Sequence, residues 1–180
     1  MITKKEFEQM TDFFRRTYFD GIPSIPCKLL AKSNFERGVD ANFIIEQNED
    51  YDESQDELID SPEYRTRVDI AEGFGFECGH YSWEDPLNHP NLYIEVQADL
   101  KTDPLKLVGV LLHELTHYWC WYCGYEHSDG TKEFEAKLKE LGLPSNWEHS
   151  SFIKEKKQWV DSFDYTTMQK YYDAFRKSLE

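Results

Sequence analysis

The stretch GVLLHELTHYWCWYCGYEHSDGTKEF, Gly109 to Phe134, contains the residues that decide the fold and the chemistry of this chain. Within it, His113, Glu114 and His117 form the pattern H-E-x-x-H. Residues four apart lie on one face of an α-helix, so both imidazoles can reach a single ion. Glu114 lies about 100° around the helix, beside that ion. The pattern predicts zinc held by two neutral imidazoles, with the carboxylate taking a proton from a metal-activated water.

The residues around the motif favour this interpretation over a chance match. The apolar run LVGVLL precedes His113, and aromatic residues follow His117, so we expect a deeply buried helix. Two unpaired imidazoles and a carboxylate would be costly in such a place, and a metal ion removes that cost. The alternative is a hydrogen-bonded pair of core histidines, because short motifs also arise by chance.

Start and stop signals set the bounds of two helices. Asp103 followed by Pro104 is typical of an N-cap and a first-turn proline, so the motif helix begins there and ends at Gly124. A second helix is predicted from near Thr131 to Gly142, with its apolar residues on one side.

A catalytic zinc needs a third protein ligand and an open position. Cys120 is badly placed for this role, because seven residues of helix separate it from His113 by roughly 10 Å along the axis. The third ligand therefore comes from beyond Gly124, where the chain can turn back. His127 and Asp129 both lie there.

The segments LLHELTHYW and HSDGTKEFEAKLKELGLPSN resemble the SprT-like metallopeptidase family, which includes proteases that clear protein crosslinked to DNA. The family pattern is H-E-x-x-H, a variable loop, a third ligand His followed by Gly, and then Phe or Trp opening a helix. This chain matches the first part at His113, Glu114 and His117. The resemblance covers about Leu92 to Asn146, roughly a third of the chain.

The second part of the family pattern is not matched. Asp129, not His, precedes Gly130, and three residues rather than two separate Gly130 from Phe134. If Gly130 is aligned with the glycine of the family pattern, Asp129 is the ligand. If the histidine of the pattern is aligned with a histidine of this chain, His127 is the ligand. A carboxylate is an acceptable zinc ligand, and we slightly favour Asp129. The residue that is not a ligand is expected to support the site or to cap the next helix.

The predicted fold class is α+β, with residues 1–180 forming a single domain. The resemblance implies a zincin-like metallopeptidase domain, with a small, mostly antiparallel sheet packed on the H-E-x-x-H helix and added N- and C-terminal helices. Thr3 and Glu6 indicate a capping box at the start of the first helix. The segments CKLLA and ANFIIE are interpreted as a strand pair, and Leu92–Gln97 as a further strand.

Composition and charge limit the partners and cellular locations that are possible for the chain. Residues 46–60 contain eight acids and no base, so we expect a solvated loop or insertion. The net charge of −15 argues against direct DNA binding, which only the family resemblance leaves open. No apolar run approaches the roughly 20 residues of a membrane span. With charge from Lys4 onward and four cysteines expected as reduced thiols, the predicted location is the cytoplasm.

The function predicted is that of a zinc-dependent metallopeptidase that hydrolyses peptide bonds, with Glu114 as general base. Its substrate would be a protein or peptide, entering along an edge strand such as Leu92–Gln97. An alternative is a non-catalytic, zinc-containing acidic protein that binds or regulates a basic partner, including by mimicry of DNA. A small-molecule amidase would use the same catalytic residues. Tyr118, Tyr122 and Tyr125 are near the motif, but none can be assigned to stabilising an oxyanion.

Overall fold

A computed structural model describes residues 1–36, 39–46, 91–145 and 164–180. Over these ranges the chain is an α+β protein with four α-helices and a mixed three-stranded sheet. The elements in chain order are α1 (Lys4–Tyr18), β1 (Cys27–Leu30), β2 (Ala41–Glu46), β3 (Asn91–Gln97), α2 (Pro104–Tyr122), α3 (Lys132–Leu141) and α4 (Tyr165–Ser178).

Helix α2, which carries the H-E-x-x-H motif, has the predicted bounds. The Asp103 side chain accepts a hydrogen bond from the backbone N–H of Lys106 at 3.1 Å, and Pro104 occupies the first turn. After the helix, Gly124 has a φ of 75°, a conformation that favours glycine. The cap, the proline and the glycine therefore confirm the helix predicted from the sequence.

Helix α2 runs through the centre of the described structure. From Leu107 to Trp121 every residue except His117 is buried. A helix that is apolar on all sides must be enclosed on all sides, and α2 contacts the other three helices as well as β2 and β3. The expected deep burial of the motif is confirmed, and polar groups at His113 and Glu114 lie inside the core.

The sheet differs from the predicted arrangement. Its strand order is β1-β3-β2, in which β1 is parallel and β2 antiparallel to β3. The expectation of a mostly antiparallel sheet with CKLLA and ANFIIE as neighbours is therefore wrong for the described strands. The reason is that Leu92, Ile94 and Val96 make β3 the most deeply buried strand, so it occupies the middle. Residues 31–40 connect the two outer strands.

The central position of β3 also contradicts its predicted role as an edge strand. Its register pairs Ile94 with Cys27 on one side and with Phe43 on the other. Over Ile94–Val96, where β1 pairs with one edge of β3 and β2 with the other, no backbone groups are left to bind an extended peptide. The prediction that a substrate enters along Leu92–Gln97 as an edge strand is therefore wrong for this part of the strand.

The predicted N- and C-terminal helices are present, and both contact the central helix. In α1, Thr3 and Glu6 form the expected capping box, with the Glu6 carboxylate accepting from the Thr3 N–H at 2.9 Å. Helix α4 contacts both α1 and α2. Arg176 of α4 donates to Glu6 at 2.8 Å, and the rings of Phe13 and Phe175 lie 6.0 Å apart. The N- and C-terminal helices, α1 and α4, thus pack against the motif helix α2.

Two expectations lie outside the described residues. The acidic segment 46–60 is described only at Glu46, which ends β2, and the tail from residue 150 is described only from Asp164. Within the described ranges, none of the helices has the length and apolar character needed to cross a membrane.

Replacement of a core leucine in α2 is expected to destabilise the protein strongly. Leu111 is 0% exposed, so Leu111→Ala removes buried methyl groups and leaves a cavity, at a cost of about 2–5 kcal/mol in the free energy of unfolding. Leu179→Ala is the matched control, because Leu179 is 42% exposed and its loss should cost under about 0.5 kcal/mol. Denaturant unfolding measures both, and equal costs would contradict the central position of α2.

Candidate metal centre

Three side chains converge at one point between α2 and the loop that follows it. The Nε2 atoms of His113 and His117 lie 3.0 Å apart. One carboxylate oxygen of Asp129, Oδ1, lies 3.3 Å from the first of these nitrogens and 3.9 Å from the second. The structure thus gathers two imidazoles and one carboxylate, the donor types that bind zinc in catalytic sites.

These separations fit a single small cation. In a tetrahedral site with metal–ligand bonds of about 2.0–2.2 Å, neighbouring ligand atoms are about 3.3–3.6 Å apart. The observed 3.0, 3.3 and 3.9 Å lie around that value. His113 and His117 are 3% and 15% exposed, and Asp129 is 36% exposed. The cluster therefore lies at the edge of the core, where the His113 ring and the Asp129 Oδ1 atom are buried while the Asp129 side chain as a whole is partly exposed.

The His117 ring is oriented by a hydrogen bond from its other nitrogen. Its Nδ1 donates to the backbone carbonyl of His127, so in the neutral ring Nε2 carries the lone pair. That lone pair is directed towards the Nε2 of His113. Phe134 stacks on His117, with centroids 4.3 Å apart, and lies edge-on to His113 at 5.2 Å. Both imidazoles are thus held in place by the first turn of α3.

Burial keeps His117 neutral. The pKa of its imidazole is lowered to about 4, first by loss of hydration and then by the neighbouring His113, although the His127 carbonyl and the Asp129 carboxylate act in the opposite direction. A neutral imidazole is the form that binds a metal ion. His117 is therefore available as a ligand throughout the neutral pH range.

Glu114 lies in the core immediately beside the cluster. Its side chain is buried, and its carboxylate accepts a hydrogen bond from the backbone N–H of Phe43 in β2. The pKa of Glu114 is raised to about 7, chiefly by burial and also by Asp129, although His113 and the Phe43 N–H act in the opposite direction. A carboxyl group that titrates near neutral pH can both accept and donate a proton in catalysis.

The two candidates for the third ligand have different positions. Asp129 belongs to the three-residue cluster, whereas the imidazole of His127 lies edge-on to Phe43, with centroids 6.2 Å apart. His127 contributes its backbone carbonyl instead, which orients His117. The geometry therefore agrees with the alignment in which Gly130 matches the glycine of the family pattern and Asp129 is the candidate ligand.

A tight turn places Asp129. The carbonyl of Ser128 accepts from the backbone N–H of Thr131 at 3.2 Å, which makes Ser128–Thr131 a β-turn. Its third residue, Gly130, has a φ of 85°, a value that favours glycine. Asp129 is the second residue of this turn, so Gly130 determines the path of the chain next to the cluster.

Other residues near the motif have different partners. The Tyr118 hydroxyl donates to the Pro23 carbonyl at 3.0 Å, so it stabilises the core rather than facing the cluster. Cys120 is buried and lies outside the three-residue cluster. The Phe43 N–H could not be predicted from the sequence, because backbone donors carry no sequence signature. Phe134 was noted as an apolar residue and as the aromatic residue of the family pattern at the start of α3, but its contacts with the two histidines were not predicted.

Comparison of the chain with protein-family models, with curated proteins and with solved structures finds no match in any of the three. The class of the protein therefore follows from its own residues. They define an α+β protein whose central helix and following loop form a candidate metal centre of two histidines and one aspartate.

The third ligand can be identified by paired substitutions. We expect Asp129→Ala to weaken Zn²⁺ binding by more than the roughly 10–100-fold typical of residues that only support a ligand. His127→Ala should stay within that range or below it, because its backbone carbonyl remains. Competition with a chromophoric chelator measures both dissociation constants. A larger loss for His127→Ala than for Asp129→Ala would assign the site to His127.

The buried His117 also predicts how stability depends on pH in the metal-free protein. Its pKa is about 4 when folded and 6.5 in its ordinary state, so between these values the unfolded chain binds a proton that the folded chain does not. The contribution of His117 to the free energy of unfolding should therefore fall as pH decreases from 6.5 to about 4, whereas Glu114, whose pKa is raised to about 7, contributes in the opposite direction. Wild type should therefore lose free energy of unfolding relative to His117→Gln over this pH range, as measured by denaturant unfolding with chelator present, and parallel curves for the two proteins would contradict the assignment.

Proposed function

We propose that this protein is a zinc-dependent metallopeptidase with a zincin-like fold, related in type to the SprT-like family. The observation that carries the proposal is the convergence of His113, His117 and Asp129, with Glu114 buried beside them on the same helix. Asp129 is proposed as the third zinc ligand. The H-E-x-x-H motif alone is a short pattern, but a third donor at ligand distance is a second, independent feature.

A bound zinc ion would act as a Lewis acid that polarises the scissile carbonyl and acidifies the attacking water. Glu114 would then perform the proton transfers, accepting a proton from the attacking water and passing it to the leaving amine. A nearby cation would also favour the ionised carboxylate, so Glu114 would begin the reaction as a base.

The proposed substrate is an exposed or unfolded protein segment. The net charge of −15 attracts basic segments and repels nucleic acid, so direct DNA binding has no support beyond the family resemblance. Because Ile94–Val96 of β3 are paired on both edges, the proposed substrate does not add a strand there. We therefore propose a basic or denatured polypeptide as substrate and the reducing cytoplasm as the place of action.

Substitution of the proposed base tests the activity directly. Zinc-loaded wild type is expected to cleave a denatured basic protein, and Glu114→Gln should reduce kcat about 10²–10⁴-fold while zinc remains bound, because the amide cannot accept the proton. Cleavage is followed by gel electrophoresis and mass spectrometry, and bound zinc by elemental analysis.

A matched control separates loss of the base from a general loss of charge. Glu8→Gln makes the same change on the exposed surface of α1 and should leave kcat unchanged. If wild type and Glu114→Gln behave alike in every proteolysis assay, the enzyme assignment fails. Binding of a basic partner without any cleavage would favour the acidic binding protein instead.

A further inference from the structure

The loop that carries Asp129 is held by the residue that begins α3. Thr131 is the N-cap of this helix, yet its side chain makes no capping hydrogen bond to it. Its hydroxyl lies instead 2.8 Å from the backbone carbonyls of both Glu126 and Ser128. Those two carbonyls flank His127, whose own carbonyl orients the His117 ring.

A second side chain of α3 holds the other end of the same loop. The Glu135 carboxylate accepts the backbone N–H of Gly130 at 2.9 Å, next to Asp129. The backbone of Glu135 is itself fixed, because its N–H donates to the Thr131 carbonyl at 2.9 Å. Thr131 and Glu135 thus restrain the chain on both sides of the segment that supplies the cluster.

We propose that Thr131 and Glu135 are positioning residues for the metal centre, holding Asp129 and the His127 carbonyl where the two histidines need them. The inference rests on the proposed metal site. The segment would otherwise lose conformational entropy on binding the ion, because Glu126, Ser128 and Gly130 are exposed. Restraining the segment beforehand removes that cost and strengthens metal binding.

The hydrogen bonds of the Thr131 hydroxyl allow positioning of the loop to be tested separately from helix capping. Since the Thr131 side chain does not cap α3, removal of its hydroxyl takes no capping bond from the helix. Loss of the hydroxyl should therefore affect the metal centre more than the fold. Glu135 lies in the first turn, where any acid interacts favourably with the helix dipole, so a control for charge is needed.

The experiment measures Zn²⁺ dissociation constants by chelator competition on the full chain. Thr131→Val and Glu135→Ala are expected to weaken binding about 10–100-fold. Thr131→Ser and Glu135→Gln keep a hydroxyl and an acceptor oxygen, and should bind within about threefold of wild type. Glu133→Ala removes an acid from the same helical turn without touching the loop, and should also bind within about threefold.

Two further readouts distinguish positioning from stability. The thermal unfolding midpoint of the metal-free protein should be similar for Thr131→Val and wild type, and the visible absorption of bound Co²⁺ should change only in Thr131→Val and Glu135→Ala. In an Asp129→Ala background, Glu135→Ala should cause no additional loss, because its effect is transmitted through Asp129.

The outcomes separate the two proposals. If wild type binds zinc tightly and Thr131→Val and Glu135→Ala bind it equally well, the positioning role is overturned while the metal centre stands. An equal loss in Glu133→Ala would also overturn it, since charge alone would then explain the effect. If wild type itself binds no zinc, the proposed metal centre fails first.

Discussion

The structure depends on a group of polar side chains enclosed in an apolar core. His113 and Glu114 are buried on a helix that is covered on all sides, and the ring nitrogens of His113 and His117 lie 3.0 Å apart. Burial of such groups is costly unless each is paired or neutralised. A cation held between the two imidazoles and Asp129 would satisfy this requirement, and the rest of the site is arranged around that point.

Each neighbouring element contributes one specific contact to the motif helix. Strand β2 supplies the N–H of Phe43 to Glu114, and α3 supplies the ring of Phe134 against both histidines. The loop before α3 supplies the carbonyl of His127 and the carboxylate of Asp129. The contacts come from separate parts of the chain, so the site forms only when the sheet and the helices have packed together.

Local signals predicted the elements well. The capping box of α1, the Asp103–Pro104 start of α2, and the glycines that end α2 and α3 are all observed, because caps and positive φ angles depend on neighbouring residues. Strand pairing was predicted wrongly. Hydrophobic alternation indicates that a segment is a strand, but the position of that strand in the sheet depends on how deeply each strand is buried in the folded protein. In this sheet β3 lies between β1 and β2.

The sequence by itself determined that His113 and His117 share one helical face with Glu114 beside it, since the helical repeat fixes those relations. It left His127 and Asp129 as alternatives, because both follow the helix and both can bind zinc. Only the tertiary structure placed the Asp129 carboxylate at the cluster and turned the His127 carbonyl towards His117. Whether Asp129 or His127 reaches the cluster depends on the direction of the turn before α3. Gly130 and contacts from α3 determine that direction, and the spacing of residues along the chain does not specify it.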